Sequence, residues 1–226
     1  ARTADDARRI AAAAAASPGM FMPGMCIRFW PQYKWLKDAV DSNAYGRVLA
    51  ATFRRVASMP PGWFSNAEMS GGAALDLHLH DTDFVQFLLG MPRAVASCGY
   101  SKTTEGIDHI VTRYFFDEVP IVVAEGGWCM DDGFGFNMSY TVNFENATAD
   151  YDLSRGDDPL LLSCGGDKQP ITCEGSTGYE GELAYFAECL IAGTPPTIVT
   201  AEQAAESIRI VEAEVASIAS GAPVDL

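Results

Sequence analysis

The chain has 226 residues, of which 48% are hydrophobic and 11% aromatic. That is enough apolar material for a full core, which excludes a disordered chain. Its 30 acidic and 15 basic residues give a formal charge of −15, a surface that repels phosphate backbones and anionic lipid and so argues against nucleic-acid and membrane partners.

Residues 3–16 predict an amphipathic helix, with Thr3 as N-cap and Asp5 and Asp6 in the first turn. Arg8-Arg9 before an alanine run has the outline of a secretory leader, but the two upstream aspartates and the following Ser17-Pro18-Gly19 do not suit one. The apolar run 20–27, broken by Pro23-Gly24, reads as a short buried strand. Helix plus strand look like the tail of a βαβ unit. Residues 31–42 predict a short helix with Trp35, Leu36 and Val40 on its apolar side, and 47–57 a strand.

Gly71-Gly72 precedes a longer helix, 73–89, closed by Gly90 and Pro92. From 93 to 174 short β-rich runs recur between Gly, Asp and Asn clusters: 93–101, 109–116, 119–129, 136–145, 147–153, 159–163 and 169–174. This spacing predicts an antiparallel meander. Helices near 178–192 and 201–220 close the chain, the second capped by Thr200 and ended by Gly221. The expected class is α+β, an open and mostly antiparallel sheet with helices packed on one face.

Six cysteines (Cys26, Cys98, Cys129, Cys164, Cys173 and Cys189) form no C-x-x-C pair. They read as free thiols acting as small buried hydrophobes in a reducing, cytoplasmic compartment. No run reaches the ~18 apolar residues of a membrane span.

Chemistry concentrates in Gly71–Asp83, which holds two of the three histidines. On an α-helix Asp76 and His80, four apart, share one face. A carboxylate there orients the imidazole and raises its pKa, making a proton-handling pair. The bland reading is a solvated helix start, which the apolar surroundings disfavour. A metal-dependent hydrolase using His78, His80 and Asp76 is a further alternative, but it needs strand geometry to bring both rings to one side.

The segment resembles the G-G-x-x-x-D-x-x-x-H-x-x-D pattern of the glucose–fructose oxidoreductase, inositol dehydrogenase and MocA-like family, carried by Gly71, Gly72, Asp76, His80 and Asp83. Met25–Pro31 resembles the family's crossover into its second domain, and Gly46-Arg47-Val48 the start of its first sheet strand. Tyr179–Phe186, with Glu182 and Leu183, resembles its Y-x-x-E-L-x-x-F helix, and Thr200–Leu226 its last helix and closing G-x-P-V-x-L. The resemblance covers nearly the whole chain. It implies that 1–27 is the remnant of a dinucleotide-binding Rossmann domain and that 28–226 is the substrate-binding and oligomerisation domain. It further implies a sugar- or polyol-oxidising enzyme that uses NAD or NADP when full length. His80 would be the acid/base and Asp76 its orienter or a substrate ligand.

The family's G-x-G-x-x-G loop and Glu-Lys-Pro lysine are absent from these residues. The 226-residue chain alone is therefore expected to bind no cofactor and to be inactive, and a non-catalytic binding or scaffold role on the same fold stays open.

Arg28 either bonds a polyhydroxylated substrate or makes a surface ion pair. Trp63 is a stacking platform for a sugar ring or a core residue. Asn66 and Tyr179 are further substrate-binding candidates, while His109 and Trp128 read as structural. The run Ile121–Ala124 and the alternation Phe134, Phe136, Met138, Tyr140 suggest two filled sheet faces, hence a homodimer or homotetramer through the uncovered one.

Overall fold

A computed structural model describes all 226 residues. Nine strands form one sheet in the order β8-β7-β6-β5-β1-β4-β3-β2-β9. They are β1 (Val48–Ser58), β2 (Ala94–Tyr100), β3 (His109–Phe115), β4 (Ile121–Met130), β5 (Phe136–Phe144), β6 (Ala147–Asp152), β7 (Leu160–Cys164), β8 (Asp167–Pro170) and β9 (Val224–Asp225). Every neighbouring pair is antiparallel except β1 with β4, which run parallel. The class is α+β, as the sequence pattern predicts.

Six α-helices accompany the sheet: α1 (Ala4–Ala15), α2 (Pro31–Asp41), α3 (Ala67–Ser70), α4 (Leu79–Leu89), α5 (Gly178–Ala192) and α6 (Ala201–Ser220). Their ends follow local chemistry. Thr3 accepts the Asp6 N–H, Thr200 accepts the Gln203 N–H, and Gly221 closes α6 in the left-handed region. The main core of 26 residues lies between the sheet and α2, α4 and α6. At its centre Tyr33 of α2 meets Phe84 of α4 edge-on at 4.8 Å and Tyr140 of β5 at 5.1 Å.

Four expectations are corrected. Residues 20–27 form no strand: they run as irregular chain into a 3₁₀ turn, Cys26–Phe29. Pro23 has no N–H to give a ladder, and the Met25 N–H goes instead to the Glu182 carboxylate at 2.5 Å. The helix at 73–89 begins as a π-turn. The alternating residues of β5 do not fill two faces. Phe136, Met138 and Tyr140 oppose Ala57, Arg55 and Phe53 on the covered side, whereas Ser139, Thr141 and Asn143 oppose Arg54, Thr52 and Ala50 on the open one. A strand's period of two sends every second residue the same way. Finally, only Cys26 and Cys189 are buried among the six free thiols, while Cys98 and Cys164 are exposed.

The first helix does not stand apart. Ala4 and Ala7 pack on Ala205 and Ile208 of α6, and Glu212 accepts the Ala4 N–H at 2.9 Å. No helix is long and apolar enough to cross a membrane.

Candidate functional site

Ala74–His78 forms a single π-turn that runs directly into α4. Its defining bond is Leu79 N–H to the Ala74 carbonyl, five residues back. Gly72 makes the entry possible. Its φ is +76°, and a Cβ there would lie 2.8 Å from the Ile107 backbone. The close approach lets Ala74 N–H reach the Ile107 carbonyl at 3.2 Å.

Asp76 and His80 are both half-buried, and no hydrogen bond joins them. Extra residues per turn rotate Asp76 away from the stacking that an α-helix would give, so the expected orienting contact is not made. His80 Nδ1 is buried with no partner. The expectation of a raised imidazole pKa is also overturned: burial, then the Arg55 guanidinium, push His80 down to about 4, against smaller opposing pulls from Asp81 and Asp83. Burial alone pushes the Asp76 carboxyl up. The turn therefore carries a carboxyl that is reluctant to ionise, and the start of α4 a neutral, underbonded imidazole.

The next turn contrasts with this. Asp83 takes Arg28 in a two-pronged ion pair, Nε to Oδ2 at 2.8 Å and Nη2 to Oδ1 at 2.7 Å. Arg28 Nη1 donates to the Ile198 carbonyl and to Gln203 Oε1, and the Arg28 side chain has no exposure. It is neither a substrate ligand nor a surface pair but a buried clamp joining the crossover, α4 and α6. Asp81 holds Arg55 of β1 at 2.8 Å, also buried.

Arg55 is a buried charge acting on His80 that sequence reasoning missed. It lies beside His80, one of its Nη groups has no partner, and its guanidinium faces the half-exposed Phe136 ring at 5.8 Å. The period-two pattern of β1 carried the signal: of Arg54 and Arg55, one must face the helices.

The remaining candidates flank this centre. Tyr179, at the start of α5, is 63% exposed and meets Trp30 edge-on at 6.2 Å. Burial, then the neighbouring Cys26, push its hydroxyl up, and Arg55 pulls the other way. On the other side Trp63 is 48% exposed and stacks on Phe64 at 4.1 Å. Phe64 and Leu77 of the π-turn pack on the same small cluster around the buried Trp128, and Trp63 covers Phe64 from outside. Asn66 spends its side-chain oxygen capping α3.

His109 bridges to Glu125 on the open sheet face, and Trp128 donates to Asp108 at 2.8 Å. His78 and His80 do not converge, and no cluster of three or more His, Cys, Asp or Glu side chains is arranged around a metal-sized gap.

A dinucleotide finds no cradle in these residues. The N-terminus of α1, the earliest long helix, carries Asp5 and Asp6, and its Ala4 N–H is already taken by Glu212. That arrangement repels a pyrophosphate.

A family model described as the GFO/IDH/MocA C-terminal domain matches residues 33–154. The NAD+-dependent scyllo-inositol 2-dehydrogenase of Bacillus subtilis (strain 168) is 26% identical over 216 residues, which is 90% of this chain and 61% of that enzyme. The 1,5-anhydro-D-fructose reductase of Ensifer adhaerens is 30% identical over 117 residues, 48% of this chain and 34% of that one. The chain thus spans less than two thirds of the curated relatives it matches. Among solved structures, aldose-aldose oxidoreductase from Caulobacter crescentus superposes with a TM-score of 0.87 at 19% identity, covering 100% of this chain and 70% of that one. Levoglucosan dehydrogenase in complex with NADH and levoglucosan gives 0.86 at 17%, covering 100% and 71%. At these identities the superpositions establish the fold.

Proposed function

The chain belongs to the GFO/IDH/MocA C-terminal domain family, and from that premise we propose that it is the substrate-binding part of an NAD(P)-dependent oxidoreductase acting on a sugar, polyol or related cyclic hydroxyl or carbonyl compound. The observation that carries this is the isolation of Asp76 and His80. They are half-buried and unpartnered, Asp76 on the irregular turn and His80 just after it in α4, while every other charged side chain of the same segment is paired.

Oxidising an alcohol removes a proton from oxygen as hydride leaves carbon. His80, neutral at pH 7, is the group able to accept that proton. Asp76 binds the substrate hydroxyl and helps to place it. Trp63 offers an aromatic face for a ring, and Tyr179 offers a hydroxyl that can donate.

Residues 1–27 are assigned to a cofactor domain that lies otherwise outside this sequence, and residues 28–226 to the substrate-binding and oligomerisation domain, in a cytoplasmic homo-oligomer that pairs through the open sheet face. Half-exposed Ile121 and Tyr100 support that pairing. The 226-residue chain alone is inactive and leaves NAD and NADP unbound.

Two measurements test the reading. Calorimetry of the chain with NAD+, NADH, NADP+ and NADPH should give no heat, and tight binding overturns the fragment assignment. The coding sequence upstream of Ala1 should then be joined to the chain and the product assayed for nicotinamide reduction with inositols, aldoses and anhydrosugars. Activity that falls about 10²-fold or more in His80→Asn supports the proton-transfer role. Activity unchanged in both His80→Asn and Asp76→Asn sinks it, and no activity with any such substrate favours the scaffold alternative.

A further inference from the structure

His78 lies between Asp76 and His80 in sequence but points elsewhere. It is fully buried, with its Nε2 3.3 Å from Glu214 Oε2 of α6 and 3.3 Å from the Tyr114 hydroxyl of β3. Thr82 Oγ donates to Glu214 Oε1 at 3.0 Å and lies 2.8 Å from the Tyr114 hydroxyl. The protons can be assigned. Thr82 spends its own on Glu214, so Tyr114 donates to Thr82. His78 Nε2 then carries a hydrogen and donates it to the Tyr114 oxygen, with the Glu214 carboxylate close by. The four side chains come from the π-turn, α4, β3 and α6, and none touches solvent.

The sheet is shaped to seat this ring. A Cβ on Gly126 of β4 would lie 2.7 Å from both Cβ and Nδ1 of His78. Any larger residue there expels the imidazole.

We propose that His78 is a positioning residue, whose hydrogen bond to Tyr114, close approach to Glu214 and seat on Gly126 hold Ala74–His78 in the π-turn that sets how Asp76 and His80 stand to one another. Nothing local requires that turn, because the apolar spacing of 73–89 suits a plain α-helix. An α-helical winding would transfer the Leu79 N–H from Ala74 O to Leu75 O and rotate Asp76 relative to His80. It would also pull His78 off Tyr114 and away from Glu214, leaving a buried imidazole without a partner, and that cost keeps the segment wound as it is.

The functional consequence rests on the reading that Asp76 and His80 handle the substrate proton. The structural consequence does not, so the two are tested separately. In the 226-residue chain, crystal structures of His78→Ala and Gly126→Ala should show Leu79 N–H on Leu75 O, whereas His78→Gln, which can still donate to Tyr114, keeps it on Ala74 O. Gly126→Ala leaves every polar group intact, so it decides the matter should His78→Ala fail to fold. A retained π-turn in Gly126→Ala, or in a folded His78→Ala, overturns the proposal.

In the chain joined to its cofactor domain, His78→Ala should lower kcat on the order of a hundredfold with KM changed less than about threefold, and His78→Gln should recover most of the loss. A lost π-turn with unchanged kcat would show that the brace is real and that the site reading is at fault.

Discussion

Asp76 and His80 on one side, and Asp81 and Asp83 on the other, belong to one helical run, yet the protein treats them in opposite ways. Asp81 and Asp83 are buried completely and each holds an arginine from a different element. Asp76 and His80 are left half-buried and alone. Burial with a partner fixes architecture. Burial without one leaves a group whose protonation is unsettled, which is the condition that proton transfer needs. The contrast teaches that within one short motif the conspicuous charges divide by partnership, not by residue type.

That division can be broken or sharpened by stability measurements on the chain itself. Arg28→Ala should have the largest effect, about 3–5 kcal/mol in urea unfolding, because it strands Asp83 in the core. A loss below about 1 kcal/mol would mean that the clamp is decorative.

Asp108→Ala comes next, at about 1–3 kcal/mol. Burial disfavours this carboxylate, yet the Thr104 hydroxyl, the Thr104 and Thr103 N–H groups and Trp128 outweigh it and hold it at about 2, below its ordinary 3.8. Its stabilisation is therefore complete above pH 3.8 and is lost as pH falls toward 2, so the variant should show a shallower acid-unfolding slope there.

His80 contributes over a higher window. Its pKa is about 4 when folded against 6.5 when unfolded, so the unfolded chain binds the extra proton between these values. Stability should decline as pH drops from 6.5 to 4, and His80→Leu should flatten that decline. An imidazole resonance titrating near 6.5 by NMR would contradict the assignment.

Asp76→Asn should change least. The folded carboxyl is raised, so ionising it works against the fold near neutrality, and the amide should be neutral or stabilising by up to about 0.5 kcal/mol. A marked destabilisation would place Asp76 with the architectural pair.

How much of this was legible in the sequence follows the range of each interaction. The caps at Thr3 and Thr200, the stops at Gly90 and Gly221 and the strand runs after residue 93 depend on neighbours a few residues away, and they read directly. The nomination of Asp76 and His80 was equally local. Arg28 was misjudged because its partners, Asp83, Ile198 and Gln203, lie far along the chain. The π-turn was invisible for the same reason, since apolar spacing reports helix but not its winding, and the brace on His78 comes from Gly126, Tyr114 and Glu214. The strand expected at 20–27 failed because its apolar content was read without asking which N–H groups were free to pair.

The placement of β1 has a consequence for how the chain reaches this state. It is the interior strand on which the sheet is built, flanked by β4 in parallel and β5 in antiparallel register, yet it comes first of all the strands. During synthesis residues 48–58 must wait, with both edges bare, until residues 121–144 have emerged. Sheets closed by such distant partners fold slowly, and an apolar strand with two open edges is a template for wrong pairing meanwhile. Shielding of β1 in the nascent chain should therefore limit the yield of folded protein more than the stability of the finished sheet does.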